Sequence, residues 1–261
     1  MTSTPTGTGS QVHYEVRDEI AYLTLDAPPL NILTAALMRQ LTALIQQAQQ
    51  DTTLKGVAVT STARAFSAGA DVAEHQPERA GEMIEAFSRL FGALAALELP
   101  LVMAVDGAAL GAGLELAVMA DILLASDRAT FGQPEIRLGF FAPVGVAWLP
   151  TRIGLGRALE VTCTGRTFSA AEMQTMGLVS RVVAPDQLAQ ALEGVLNDLR
   201  LASPVIMRMN VRLSRRLAGQ PFETARRDAE RVFLEELLAT EDVREGIASF
   251  IEKRRPVWRN R

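Results

Sequence analysis

Two glutamates stand where a carboxylate is costly. Glu115 lies in the run Gly111-Ala112-Gly113-Leu114-Glu115-Leu116-Ala117, and Glu135 follows Phe131-Gly132-Gln133-Pro134. A charge among apolar neighbours must be paired, hydrogen-bonded or used. Two such carboxylates in one pocket would hold a water and move its proton, which is general acid–base chemistry. Spacing alone leaves plainer readings open. Glu115 falls in the first turns of an expected helix, where negative charge is favoured. Glu135 has Arg137 and Arg152 as candidate ion-pair partners.

Two glycine-bearing segments offer backbone donors beside these acids. In Ala65-Phe66-Ser67-Ala68-Gly69-Ala70-Asp71, Gly69 relaxes the backbone and the small Ala70 lets a ligand approach its amide. Gly111-Ala112-Gly113 opens a helix, whose first-turn amides lack internal partners and favour an anionic oxygen. An ordinary turn and tight helix–strand packing explain the same small residues. Neither segment is a dinucleotide fingerprint or a phosphate loop, because the spacing, the ribose-binding acid and a Gly-Lys-Ser/Thr run are absent. No serine has a nucleophile-elbow context. Cys163, between two threonines, reads as a small buried hydrophobe, and His75 as a solvent-exposed side chain.

The elements that must position these groups follow an α/β grammar. Residues 12–17 and 20–25 alternate as a hairpin. Leu33, Leu37, Leu41, Leu44, Ile45 and Ala48 form a helical stripe, with Asn31 or Thr34 as its cap. Strands are expected at 56–61, 101–105, 122–125 and 178–183, and a long helix over 79–97. Ser169-Ala-Ala-Glu172 has the form of a capping box. From about residue 186 only helical stripes appear, at 187–201, 204–217, 221–238 and 241–254. The first ten residues carry no charge and no apolar run, so they read as a disordered tail rather than a secretory signal.

Composition narrows the classes. The 261 residues, 48% hydrophobic and 21% charged, suffice for a large core. A net charge of −4 gives no general case for nucleic acid. Basic clusters at 212–216, 226–227 and 253–255 read as solvated helix faces. One cysteine forms no intrachain disulfide, which fits a reducing, cytoplasmic compartment. The apolar stretch 101–125 is broken by Asp106, Glu115 and Asp121, so no membrane span is expected. No His/Cys cluster has structural-metal spacing.

The chain resembles the crotonase, or enoyl-CoA hydratase/isomerase, superfamily over nearly its full length after residue 10. The resemblance rests on AFSAGAD at 65–71, GAALGAGLELAVMAD at 107–121, FGQPEIRLG at 131–139, LPTRIG at 149–154, TGRTFSAAEMQTMGLVSRVV at 164–183 and TEDVREGIASFIEKRRPVW at 240–258. It implies a spiral of ββα units over 11–200 and a C-terminal helical trimerisation region over 201–261. The implied assembly is a homotrimer or a dimer of trimers. The implied substrate is an acyl-CoA thioester, with no separate cofactor and no metal. Its carbonyl oxygen is expected between the amides of Ala70 and Ala112, and Glu115 and Glu135 match the hydratase glutamates. Retention of both favours addition or removal of water over isomerisation, another crotonase reaction or mere coenzyme A binding. Ala68, Asp71, Val72, Phe250 and Lys253 match positions that contact coenzyme A. After Glu135 the usual glycine-rich segment is replaced by Phe140-Phe141-Ala142-Pro143-Val144-Gly145. Bulky Phe140, Phe141 and Val144 imply a reshaped acyl pocket. That segment and PPLNIL at 28–33 resemble the cyclohexa-1,5-diene-1-carbonyl-CoA hydratases.

Overall fold

The computed structural model describes residues 11–261. The expected tail over 1–10 lies outside the described residues. The chain opens on the expected hairpin: β1 (Val12–Arg17) and β2 (Ile20–Leu25) pair antiparallel. Next comes α1 (Ala35–Gln50), capped by Thr34, whose hydroxyl accepts from the Leu37 amide. Then follow β3 (Gly56–Ser61), α2 (Pro77–Ala96), β4 (Leu101–Val105), β5 (Ala108–Leu110), α3 (Ala112–Val118), β6 (Ile122–Ser126) and β7 (Thr130–Gly132). The chain continues through α4 (Pro143–Ile153), α5 (Leu155–Thr164), β8 (Thr167–Ser169), α6 (Ala170–Met176) and β9 (Arg181–Val183). Both reciprocal bonds of the Ser169/Glu172 capping box are present at the start of α6. Past β9 the described chain is helical, with α7 (Leu188–Arg200), α8 (Pro204–Leu217), α9 (Phe222–Glu235) and α10 (Glu241–Ile251).

The main sheet has six strands in the order β1-β2-β3-β4-β6-β9, parallel throughout except for the first pair. A parallel sheet needs both faces covered, and the strand sequences supply this. In β4, Leu101, Met103 and Val105 join the large core cluster, while Val102 and Ala104 join a second cluster with Leu188, Leu192 and Leu196 of α7. β2 divides the same way: Ala21, Leu23 and Leu25 on one side, Ile20 and Tyr22 on the other. Period-two alternation thus turns one apolar run into two packed faces. The helices α1 and α2 lie on the larger cluster, through Leu37, Leu41 and Ile45 and through Phe87, Leu90 and Leu94.

A second sheet was not read from the sequence. Its strands β5, β7 and β8 have three residues each, too few for a visible alternation. The helices α4 and α5 were also missed: α4 begins at Pro143, contains Pro150 and buries only Gly145, Leu149 and Ile153, so its stripe is faint. Cys163 is exposed near the end of α5, which corrects its reading as a buried hydrophobe. Among the described residues no helix is long and apolar enough to cross a membrane.

The small sheet brings α3 against the 65–71 loop. The Ser67 amide donates to the Ala108 carbonyl at 3.0 Å, and the Leu110 amide donates to the Ser67 carbonyl at 2.9 Å. The contact depends on Gly113: a Cβ there would sit 2.3 Å from the Ser67 carbonyl oxygen and 2.9 Å from its Cβ. Backbone cannot yield as a flexible side chain can, so Gly113→Ala should lower stability by about 1–3 kcal/mol in urea unfolding. An unchanged unfolding midpoint would contradict this packing.

Candidate active site

Backbone geometry comes first. Asn31, fully buried, sits beneath the 65–71 loop. Its Nδ2 lies 2.7 Å from Ser61 Oγ, 3.1 Å from the Ala65 carbonyl and 3.0 Å from the Phe66 carbonyl, and its Oδ1 accepts from the Ala27 amide. The Ser67 hydroxyl donates to the Asn31 carbonyl, while the Ala68 amide donates to the Leu30 carbonyl. A buried polar hub with its bonds satisfied holds one loop geometry. Asn31 is therefore a loop anchor and not the cap of α1.

Two amides are left over. Ala70 follows Gly69, which sits at φ +106° and whose missing Cβ would lie 3.0 Å from the Leu110 carbonyl oxygen and 3.6 Å from the Ala112 nitrogen. Ala112 is the first residue of α3, so its amide has no partner within the helix. Neither the Ala70 nor the Ala112 amide has a protein acceptor among the described residues. Both line a cavity of about 260 Å³, together with Glu115 and Glu135.

Glu115 is 2% exposed. Its side chain crosses from α3 to the start of α4, where Oε1 accepts from the Val144 amide at 2.7 Å and the Gly145 amide at 2.9 Å. Pro143 supplies no N–H and Ala142 no capping side chain, so Glu115 caps α4 from a distance. Those two bonds favour the carboxylate. Desolvation opposes them and is the larger effect, and the negative charge of Glu135 adds to it, raising the Glu115 pKa from 4.5 to about 7.

Glu135 opens on a short 3-10 turn, Pro134–Leu138. Its carboxylate lies over Gly111, where a Cβ would stand 3.4 Å from Oε2 and 3.6 Å from Oε1. Burial raises its pKa, partly offset by its own backbone amide and, whenever that ring is protonated, by His75. The Gln133 side-chain amide faces this carboxylate, and in the orientation that turns its nitrogen toward Glu135 it donates to both oxygens, at 3.1 Å to Oε2. Neither expected arginine pairs with it among the described residues; Arg137 donates to the Thr164 carbonyl instead.

The remaining expected residues divide. Ala68, Val72, Phe140 and Phe141 line the cavity. Val144 does not; its side chain packs against the core and its amide holds Glu115. The Asp71 side chain accepts from the Ala73 amide and caps the turn Val72–His75. Phe250 is exposed near the end of α10, with Lys253 just beyond it, and neither lines the cavity. His75 is half-buried and lines the cavity, its ring 5.1 Å from that of Phe140, which corrects its reading as solvent-exposed. Gln133, 1% exposed, was passed over although it is a buried polar residue two positions from Glu135. That proximity was the available signal.

The enoyl-CoA hydratase/isomerase family model matches residues 15–261. The chain belongs to the enoyl-CoA hydratase/isomerase family. It is 38% identical over 255 residues to a probable enoyl-CoA hydratase of Mycobacterium bovis, covering 94% of this chain and 96% of that one. Identity to the cyclohexa-1,5-dienecarbonyl-CoA hydratase of Thauera aromatica is lower, 34% over 239 residues, with 92% of each chain covered. The crystal structure of an enoyl-CoA hydratase from Bacillus anthracis superposes with a TM-score of 0.92 at 25% identity, over 97% of this chain and 100% of that one. The fold is thus the crotonase-like α/β fold of repeating ββα units with a C-terminal helical bundle. As a member of the family the chain is an enzyme, with general hydro-lyase chemistry on acyl-CoA thioesters.

The raised Glu115 pKa gives a stability signature. The folded chain holds this proton more tightly than the unfolded chain, so the contribution is complete below about 4.5 and is lost as pH rises through about 7. The loss amounts to about 3 kcal/mol. Glu115→Gln is neutral throughout. Its stability relative to wild type should therefore rise by about that much between about pH 4 and about pH 8, read by urea unfolding. A difference constant with pH would contradict the assignment.

Proposed function

We propose that the chain adds water to the double bond of a 2-enoyl-CoA or cyclic dienoyl-CoA thioester. The observation that carries this is the shared cavity: two carboxylates and two unpartnered amides line one apolar space. In this reading the thioester carbonyl oxygen accepts from Ala70 and Ala112, which stabilise the enolate charge as it forms. Water bridges the glutamates. One of the two carboxyl groups, ionised, takes a proton from the water as the water oxygen bonds to the β carbon, and the other, protonated, gives its proton to the α carbon. Exchange with solvent then resets the pair. Electrons and protons balance: one double bond and one water become a 3-hydroxyacyl thioester.

Phe87, Phe140 and Phe141 in the cavity lining support a flat or bulky acyl group, and the identity to the dienecarbonyl hydratase supports a cyclic one. Ala68 and Val72, which line the cavity, and Asp71 between them in the chain are the coenzyme A contacts of this reading. Phe250 and Lys253 join them from a neighbouring subunit of a homotrimer or dimer of trimers. Exposed Phe222, Phe233, Leu234, Phe250 and Ile251 in the 201–261 region support such an assembly. A cytoplasmic setting belongs to the same reading and is supported by the single cysteine.

Purified protein mixed with crotonyl-CoA and with cyclohexa-1,5-diene-1-carbonyl-CoA should bleach the enoyl absorbance and yield a product heavier by one water. Isomerisation leaves the mass unchanged. Glu115→Gln and Glu135→Gln should each lose about 10²–10⁴-fold in kcat. The proposal fails if no enoyl thioester is hydrated, or if either variant keeps wild-type activity.

A further inference from the structure

Much of the cavity lining is hydrocarbon, from Met83, Ile84, Leu138 and three phenylalanines. His75 interrupts it, its ring held by the Asp71 carbonyl and by Phe140 on a turn that is itself tied down. Asp71 caps the turn that carries it. Glu74, 7% exposed, accepts from the Ala35 amide at the start of α1 and pairs with Arg79 at 3.2 Å. Phe140 packs against the ring at a 59° tilt, and the Phe140 amide donates to the Glu135 carbonyl. A side chain fixed this firmly loses little entropy when it makes one further bond.

The tautomer follows from its one protein bond. His75 Nδ1 lies 2.9 Å from the Asp71 carbonyl oxygen. A carbonyl can only accept, so Nδ1 carries the hydrogen. In the neutral ring Nε2 is then a lone-pair acceptor. It has no hydrogen-bond partner among the described residues. A purely apolar acyl chain filling the cavity would strip water from Nε2 and leave it unpaired, whereas a hydroxyl on that chain would satisfy it. A carboxylate on the chain would share this small space with a pair of acids of which one is ionised as the base, and is disfavoured by like charge.

We propose that His75 is a specificity-determining residue that selects acyl groups bearing a hydroxyl beyond the β carbon, by accepting a hydrogen bond at Nε2. This rests on the reading of the cavity as the acyl site. The test compares six-carbon 2-enoyl-CoA thioesters that are unsubstituted, that carry a hydroxyl at carbon 4, 5 or 6, or that end in a carboxylate. Wild type should favour one hydroxylated isomer in kcat/KM by about tenfold over the unsubstituted thioester. His75→Phe, which keeps a ring against Phe140, should abolish the preference mainly through KM while still hydrating the unsubstituted thioester. His75→Gln, which keeps an acceptor, should retain part of it. Turnover of the unsubstituted thioester with no hydroxyl preference would overturn this inference alone. So would a preference for the carboxylate, or a hydroxyl preference surviving in His75→Phe. No turnover of any thioester would overturn the functional reading and this inference with it.

Discussion

Two stretches of backbone meet without side chains between them, and the site depends on that contact. The 65–71 loop lies against the β5–α3 corner because Gly69, Gly111 and Gly113 have no Cβ at the points of approach. Gly69 and Gly111 also adopt positive φ, at +106° and +54°, which L side chains rarely tolerate. The contact uses up the polar groups around it in cross-bonds between Ser67, Ala108 and Leu110, and leaves the amides of Ala70 and Ala112 free. A donor that needs no reorganisation when charge develops is the most effective kind. The two sheets, the Asn31 hub and the helix α3 all serve to hold this one juxtaposition.

The glutamates are set by a contest between burial and bonding. Glu115 does structural work as the cap of α4, and capping alone would keep it ionised. Desolvation wins, and the result is a carboxyl poised near neutrality. Glu135 is less buried and faces the Gln133 side-chain amide. Two acids of one type thus sit in different surroundings, one nearly buried and the other partly so. Structural and chemical roles coincide in Glu115, because the residue that fixes α4 also fixes one wall of the cavity.

Much of the fold was legible in the sequence, and the reasons are specific. Leu101-Val-Met-Ala-Val105 reads as a buried strand because it is a short, continuous apolar run bounded by Pro100 and Gly107, and the stripe from Leu37 to Ala48 reads as a helix because its apolar residues recur with the helical period. Ser169 and Glu172 announced α6 through local chemistry alone. Glu115 and Glu135 stood out as acids in apolar company, and Gly69 and Gly111 as points of backbone freedom. What was missed depends on partners distant in the chain. The three-residue strands have no period of their own. Asn31 anchors a loop some thirty-five residues on, and Val144 matters for an amide that every residue but proline possesses. His75 seemed exposed until Phe140, distant in sequence, came to rest against it. Gln133 alone carried a usable signal, as a buried polar side chain beside an acid.

The central claim is that main-chain donors grip a thioester oxygen between two acids, and a crystal structure with a bound unreactive acyl-CoA thioester tests it most directly. The expected result is a carbonyl oxygen about 2.7–3.1 Å from both the Ala70 and Ala112 nitrogens, with the carboxylates of Glu115 and Glu135 flanking the acyl β carbon. An oxygen bonded elsewhere, or a β carbon remote from either carboxylate, would contradict the account.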